Sequence, residues 1–208
     1  TPSAADIAAG TVTITLNVTA NAPCSNVSDA MVLTITSAPE ADAGSDATIC
    51  QGSTYIVNDA TASNYDDLLW THTGTGSLSG ETTLTPTYTP GAGETGIVTL
   101  TLTASPNAGC STAAVSTMTI TINASATASA GADDVMCNTE VSYTLSGSAT
   151  NYISYVWTTS GTGTFNNPTT SLTPVYTPSA ADIAAGTVTI TLNVTANAPC
   201  SNVSDAMV

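Results

Sequence analysis

Residues Thr1–Val32 read TPSAADIAAGTVTITLNVTANAPCSNVSDAMV, and residues Thr177–Val208 repeat all 32 positions without a change. No other feature constrains the chain as much. Two identical stretches must be able to form the same local structure, and units repeated in tandem stack on their neighbours. In the first copy the chain runs on through Leu33-Thr34-Ile35-Thr36, an alternating strand, whereas the second copy reaches Val208 just before it. That predicts a window on a longer chain with a period of 176 residues. The period divides into two diverged halves. Ala41–Cys50 matches Ala128–Cys137, Trp70 matches Trp157, Gly74-Thr75-Gly76 matches Gly161-Thr162-Gly163, and Thr85–Pro90 matches Thr173–Pro178. The expected units are residues 1–40 (the C-terminal part of one), 41–127 (complete) and 128–208 (lacking its last strand).

Each unit reads as all-β. Apolar and Thr positions alternate through Gly96–Thr103 and Val115–Ile122, which places Val, Ile and Leu on one face of a strand and Thr on the other. Shorter strand-like runs fall at Thr54–Val57, Leu68–His72, Ser77–Leu78 and Thr83–Tyr88. The one helical signal is Ser3-Ala4-Ala5-Asp6 closed by Gly10, repeated at Ser179–Gly186; a Ser-x-x-Asp start and a Gly stop suit one or two turns. About seven strands, a Trp on the third and a Tyr before the sixth predict immunoglobulin-like β-sandwiches arranged end to end. Trp70 and Trp157 are expected as core anchors, with Tyr88 and Tyr176 packing or hydrogen-bonding at the corner before the sixth strand.

Charge excludes several functions. The chain has 15 Asp and Glu, one His and neither Lys nor Arg, for a net charge of −15. It offers no counter-charge for phosphate, so nucleic acid and anionic membrane surfaces are excluded as electrostatic partners. No apolar run approaches the length of a membrane span. At 42% hydrophobic and 7% charged residues, the composition is that of a folded chain rather than an acidic disordered tail.

The motifs Ala-x-Ala-Gly-x-Asp, Ile-Cys-x-Gly, Trp-Thr-x-x-Gly-Thr-Gly and Thr-Pro-x-Tyr-Thr-Pro-Ser-Ala-Ala-Asp run through the whole chain. Together they resemble the PKD-like, immunoglobulin-like tandem repeats of giant surface adhesins of Bacteroidota, including gliding-motility-type adhesins exported by type IX secretion. That resemblance implies an extracellular, cell-surface repeat region with no catalytic residues and no cofactor.

Five cysteines occupy two positions of the repeat. Cys50 and Cys137 precede a turn after the first strand; Cys24, Cys110 and Cys200 follow the sixth. No CxxC or paired His accompanies them, so a zinc site is not indicated. Two pairings are open, and free thiols are the remaining alternative. Pairing within a unit would join Cys50 to Cys110 and Cys137 to Cys200. These positions lie at opposite poles of a sandwich, however, roughly 17–26 Å apart along a strand of five to eight residues, and a disulfide needs Cα atoms within about 7 Å. In a linear stack the two poles of neighbouring units face each other. This favours Cys50–Cys200 between units, with Cys24, Cys110 and Cys137 bonding to units outside the window.

The remaining signals are weak. His72 is replaced by Thr159 in the next unit, and Asp66-Asp67 by Ile153-Ser154, so a shared acid–base site is not expected and the paired acids read as solvated loop charges. Calcium at unit junctions would stiffen a stalk and offset charge; the candidate ligands are Asp42, Asp46, Asp133 and Asp182. Glu94 recurs as Asp182 in the loop before the sixth strand. The expected function is a non-catalytic spacer or stalk of a long extracellular adhesin or filament. Its partners would be neighbouring units of the same chain or identical chains in a fibre, with a surface or glycan at a distal tip. The alternatives are a glycan- or surface-binding module, for which Tyr65 and Tyr152 are the loop aromatics available, and an accessory domain of a secreted hydrolase.

Overall fold

The computed structural model describes residues 1–208 and is almost entirely β. The first 40 residues form a short helix α1 (Ala4–Ala9) followed by a hairpin, β1 (Thr11–Val18) and β2 (Val27–Thr34). The helix has the capping box its sequence announces: the Ser3 hydroxyl accepts from the Asp6 N–H, and the Asp6 carboxylate accepts from the Ser3 N–H. Gly10 ends it at φ 71°, a left-handed value that costs Gly little.

The central unit holds β3 (Glu40–Asp42), β4 (Ala47–Cys50), β5 (Tyr55–Ile56), β6 (Thr61–Ser63), β7 (Tyr65–His72), β8 (Ser77–Ser79), β9 (Thr87–Thr89), β10 (Gly96–Pro106) and β11 (Ala114–Asn123). One sheet has the order β4-β11-β10-β7; the opposite layer is made of β3-β6 and β5-β9-β8. β4 is parallel to β11, from Ala47 opposite Ile120 to Cys50 opposite Asn123. Val98, Leu100, Leu102 and Ala104 of β10 and Met118, Ile120 and Ile122 of β11 point inward, and Trp70 joins them from β7 in one apolar cluster. The Thr residues between them face outward, as the period of two requires.

The third unit repeats the plan with β12 (Thr127–Ser129), β13 (Tyr143–Thr144), β14 (Ser148–Thr150), β15 (Tyr152–Thr159), β16 (Thr164–Phe165), β17 (Val175–Thr177), helix α2 (Ala180–Ala185), β18 (Ile190–Ala196) and β19 (Val203–Met207). Its core gathers Leu145, Trp157, Tyr176, Ile190, Leu192, Val194 and Met207. The sheets are β15-β18-β19, β12-β14 and β13-β17-β16.

Three sequence expectations are corrected. The run Thr83–Tyr88 is mostly turn, and only Thr87–Thr89 pairs as a strand, because Pro86 removes a ladder donor. Asp66 and Asp67 lie in strand β7, exposed, rather than in a loop. Tyr65 and Tyr152 likewise open strands β7 and β15. Tyr65 packs against the central core, and the Tyr152 ring stands edge-on to Tyr155 with centroids 5.4 Å apart. Neither is a free loop aromatic.

Candidate functional site: the junction between units

Cys50, at the end of β4, and Cys200, in the turn between β18 and β19, are joined by a disulfide with Cα atoms 4.9 Å apart. The bond links positions 150 residues apart and crosses from the central unit to the third. Cys200 is buried, and Cys50 packs against the third unit's core. Around the bond, polar groups tie the two poles together. The Asn123 Nδ2 donates to Ala198 O at 2.7 Å, the Ser125 N–H to Gln51 Oε1 at 3.2 Å, and the Gln51 N–H to Asn123 O at 2.8 Å. Asn151 Nδ2 reaches back to Ser125 O at 3.0 Å. Asn151 holds φ at 56°, in the left-handed region that Asn tolerates better than most residues. Only Ala124–Ala126 separate β11 from β12, too short a linker for free rotation.

The preceding junction has the same layout. The Thr36 hydroxyl donates to Ala108 O at 3.1 Å, and the Cys110 thiol donates to Thr36 O at 3.4 Å. Cys200 Sγ stands 3.5 Å from Asn123 O in the equivalent place. Cys110 is therefore in the position of Cys200 but is a free thiol, as are Cys24 and Cys137. The Thr139 hydroxyl beside Cys137 holds that thiol below its ordinary pKa.

A second polar cluster closes the corner of each unit. The Tyr88 hydroxyl donates to Glu94 at 2.9 Å, and the same carboxylate accepts from the N–H groups of Gly91 and Thr75. In the third unit the Tyr176 hydroxyl donates to Asp182 at 2.7 Å, which also accepts from the Ser179 and Thr162 N–H groups. The Gly-Thr-Gly motif now has a physical reason. A Cβ at Gly74 would run into the Tyr88 hydroxyl and Glu94, one at Gly161 into Asp182, and one at Gly163 into Tyr176. Burial, with the hydrogen bond to Glu94, pushes Tyr88 up to about 12. Burial alone would raise Glu94, but the N–H donors of Gly91 and Thr75 and the tyrosine outweigh it and hold the carboxyl below its ordinary value. The N–H groups of Ser179 and Thr162 and the Tyr176 hydroxyl hold Asp182 far below the usual carboxylate range. Sequence reading missed this role of Glu94 and Asp182. The signal was present, since both acids follow their tyrosine by six residues.

The calcium candidates are not brought together. Nowhere do three or more His, Cys, Asp or Glu side chains converge as a metal site would need. Asp42 accepts from the Gly44 N–H at 3.0 Å, Asp46 from Thr119 N–H at 2.7 Å, and Asp133 from Val208 N–H at 2.9 Å. Asp46 and Asp133 are equivalent clamps, each fastening the first strand segment of its unit to the last. Asp182 belongs to the tyrosine corner. His72 stacks edge-on to Tyr88 at 5.2 Å and touches no acid–base partner. Trp70 and Trp157 lie in the two cores, and the Trp70 Nε1 donates to Thr83 O at 2.9 Å.

The fold recurs in solved structures. The N-terminal eight Ig domains of Down Syndrome Cell Adhesion Molecule align over 95% of this chain and 30% of that one, at 12% identity and a TM-score of 0.53. The fold is immunoglobulin-like. A second match, human CDH23 EC21-23, covers 96% of this chain and 74% of that one, at 13% identity and a TM-score of 0.50. No protein-family model and no curated protein matches the chain. At these identities the immunoglobulin-like likeness fixes the fold alone. What the immunoglobulin-like units do together rests on their junction, which is built to hold two bodies in register.

Proposed function

We propose that this chain is a spacer segment of a long extracellular array of immunoglobulin-like repeats, each stapled to the next, with no catalytic role. The observation that carries this reading is the Cys50–Cys200 bond across a three-residue linker. A cross-link between folded neighbours contributes nothing to a site inside either unit, but it restricts bending and resists extension. The surrounding hydrogen bonds and the matching Cys110–Thr36 contact support a repeated junction. On this reading Cys137, Cys110 and Cys24 form the same staple with further units. An oxidising compartment is needed for such bonds to persist. The −15 charge keeps neighbouring threads from clumping.

Cell-surface attachment, a gliding-motility-type adhesin and type IX export are further parts of the proposal, supported by the motif resemblance. Electron microscopy of native material, on cells and after shedding, tests the spacer. Thin beaded threads with a repeat of about 40 Å, from about 3.3 Å per strand residue plus loops, support it. Compact particles of one or two units would reject it in favour of a binding or accessory module. Loss of the threads from the surface of a type IX export mutant tests the route.

A further inference from the structure

We propose that the staples make the array a tether that hardly lengthens under tension, because load runs along two covalent lanes that bypass most of each unit. The inference rests on the stapled-array reading above and gives its mechanical consequence.

The Cys50–Cys200 bond bridges a separation of 150 residues. Tension that reaches Cys50 along the chain crosses to Cys200 through the bond instead of following the backbone between them. Cys24 and Cys200 are the same position of the perfect repeat. A lane leaving Cys200 therefore runs through the counterpart of Cys24–Cys50 to the next staple, and one period of 176 residues is spanned by about 26 residues and one disulfide. A second lane is offset by one unit. It enters the central unit at Cys110, follows β11 and the linker Ala124–Ala126, and leaves at Cys137.

The two lanes lie side by side. In the central unit the first follows β3 and β4 to Cys50, and the second follows β11 to Asn123. β4 and β11 are parallel neighbours, with Ala47 opposite Ile120 and Cys50 opposite Asn123. At one pole stands the bond to Cys200; at the other the Cys110 thiol lies 3.4 Å from Thr36 O. With staples at both poles, each strand is held at both ends and both are pulled the same way, so their ladder is not sheared. Without staples, tension would enter through β3 and β4 and leave through β11. Those strands would be dragged in opposite directions, with the four paired residues of β4 loaded in shear. Strands β5–β10 lie on neither lane.

Lengths decide how far such a thread can stretch. Two folded units measure about 80 Å, at about 40 Å each. A lane of about 26 residues reaches at most about 86–94 Å when fully extended, and the bond adds the 4.9 Å between its Cα atoms. The slack is about a fifth of the folded length. Without staples the whole period would extend to about 600 Å, roughly sevenfold.

The first test is the distance between the two thiols of the second lane. Single-molecule energy transfer would be read between labels on Cys110 and Cys137 in the oxidised 208-residue Cys24→Ser chain. A separation of about 70–90 Å, two units end to end, is expected. One below about 60 Å would leave the lane slack and overturn the proposal. The second test pulls shed threads before and after treatment with a phosphine reductant. Oxidised threads should lengthen by about a fifth at most before they rupture, and reduced ones by about sevenfold, with a sawtooth of unfolding units. Oxidised threads that lengthen severalfold would overturn the proposal, as would reduced threads that stay short. Peptide mapping of the same sample separates the two failures. If no threads are found, or Cys137 is not linked to a cysteine of the following unit, the array reading fails and the proposal falls with it.

Discussion

A tyrosine hydroxyl and a carboxylate six residues later hold the corner of each unit, and the glycines facing them leave room for nothing larger. The pH response follows from Asp182. Its folded-state pKa lies below the unfolded value of about 4, so its contribution to stability is complete above that value and is lost as pH falls through the folded pKa. Asp182→Asn should lower the melting temperature at pH 7 and flatten the loss between pH 4 and pH 2; an unchanged acid limb would show that the corner is not coupled to folding. Gly163→Ala should destabilise the third unit by about 1–3 kcal/mol, because the new methyl overlaps the Tyr176 hydroxyl and packed sites rarely absorb such an overlap. Urea denaturation of the variant measures it. The roles of Trp70 and Trp157 could be read from their spacing. The tyrosine–acid pair left only one trace, the six-residue spacing shared by Tyr88–Glu94 and Tyr176–Asp182, since a loop acid with a buried partner otherwise looks in sequence like any solvated one.

At the level of strands, alternation made β10 and β11 plain, and the capping box and Gly10 marked α1. Periodicity fails where short segments depend on tertiary context. Asp66 and Asp67 are both exposed near the start of β7 although they point to opposite faces, a position their charge does not reveal. β4 is four residues long and becomes a strand only because β11 offers it a parallel edge. The repeated hairpin makes the same point: β18–β19 is buried by β15 and its neighbours in residues 128–176, while the 208 residues hold no such half for β1–β2, which is exposed. The two copies therefore serve as each other's control. In dilute solution Leu192→Ala should cost about 2–5 kcal/mol through the cavity it leaves, while Leu16→Ala should stay within about 0.5 kcal/mol, as exposed substitutions do. Equal effects, read by denaturant melts, would contradict the burial assigned to the two hairpins.

For the whole molecule, the junction governs both stiffness and stability. A cross-link closing 150 residues restricts the unfolded chain by up to about 5 kcal/mol in the loop-entropy treatment. Reduction, or Cys200→Ser, should therefore lower the denaturant midpoint and broaden the range of angles between the two units seen by small-angle X-ray scattering. The poles on which Cys50 and Cys200 sit are marked in the sequence by the turn residues beside them. The hydrogen bonds of Asn123, Ser125 and Asn151 around them were not legible, because each joins residues far apart in the chain. The measurement that bears most directly on the stapled array is peptide mapping of the unreduced monomer, cleaved at Asp and Glu because trypsin has no Lys or Arg to cut. The account predicts Cys50 linked to the fragment carrying Cys200. Cys50 linked to Cys110, within one unit, would contradict it.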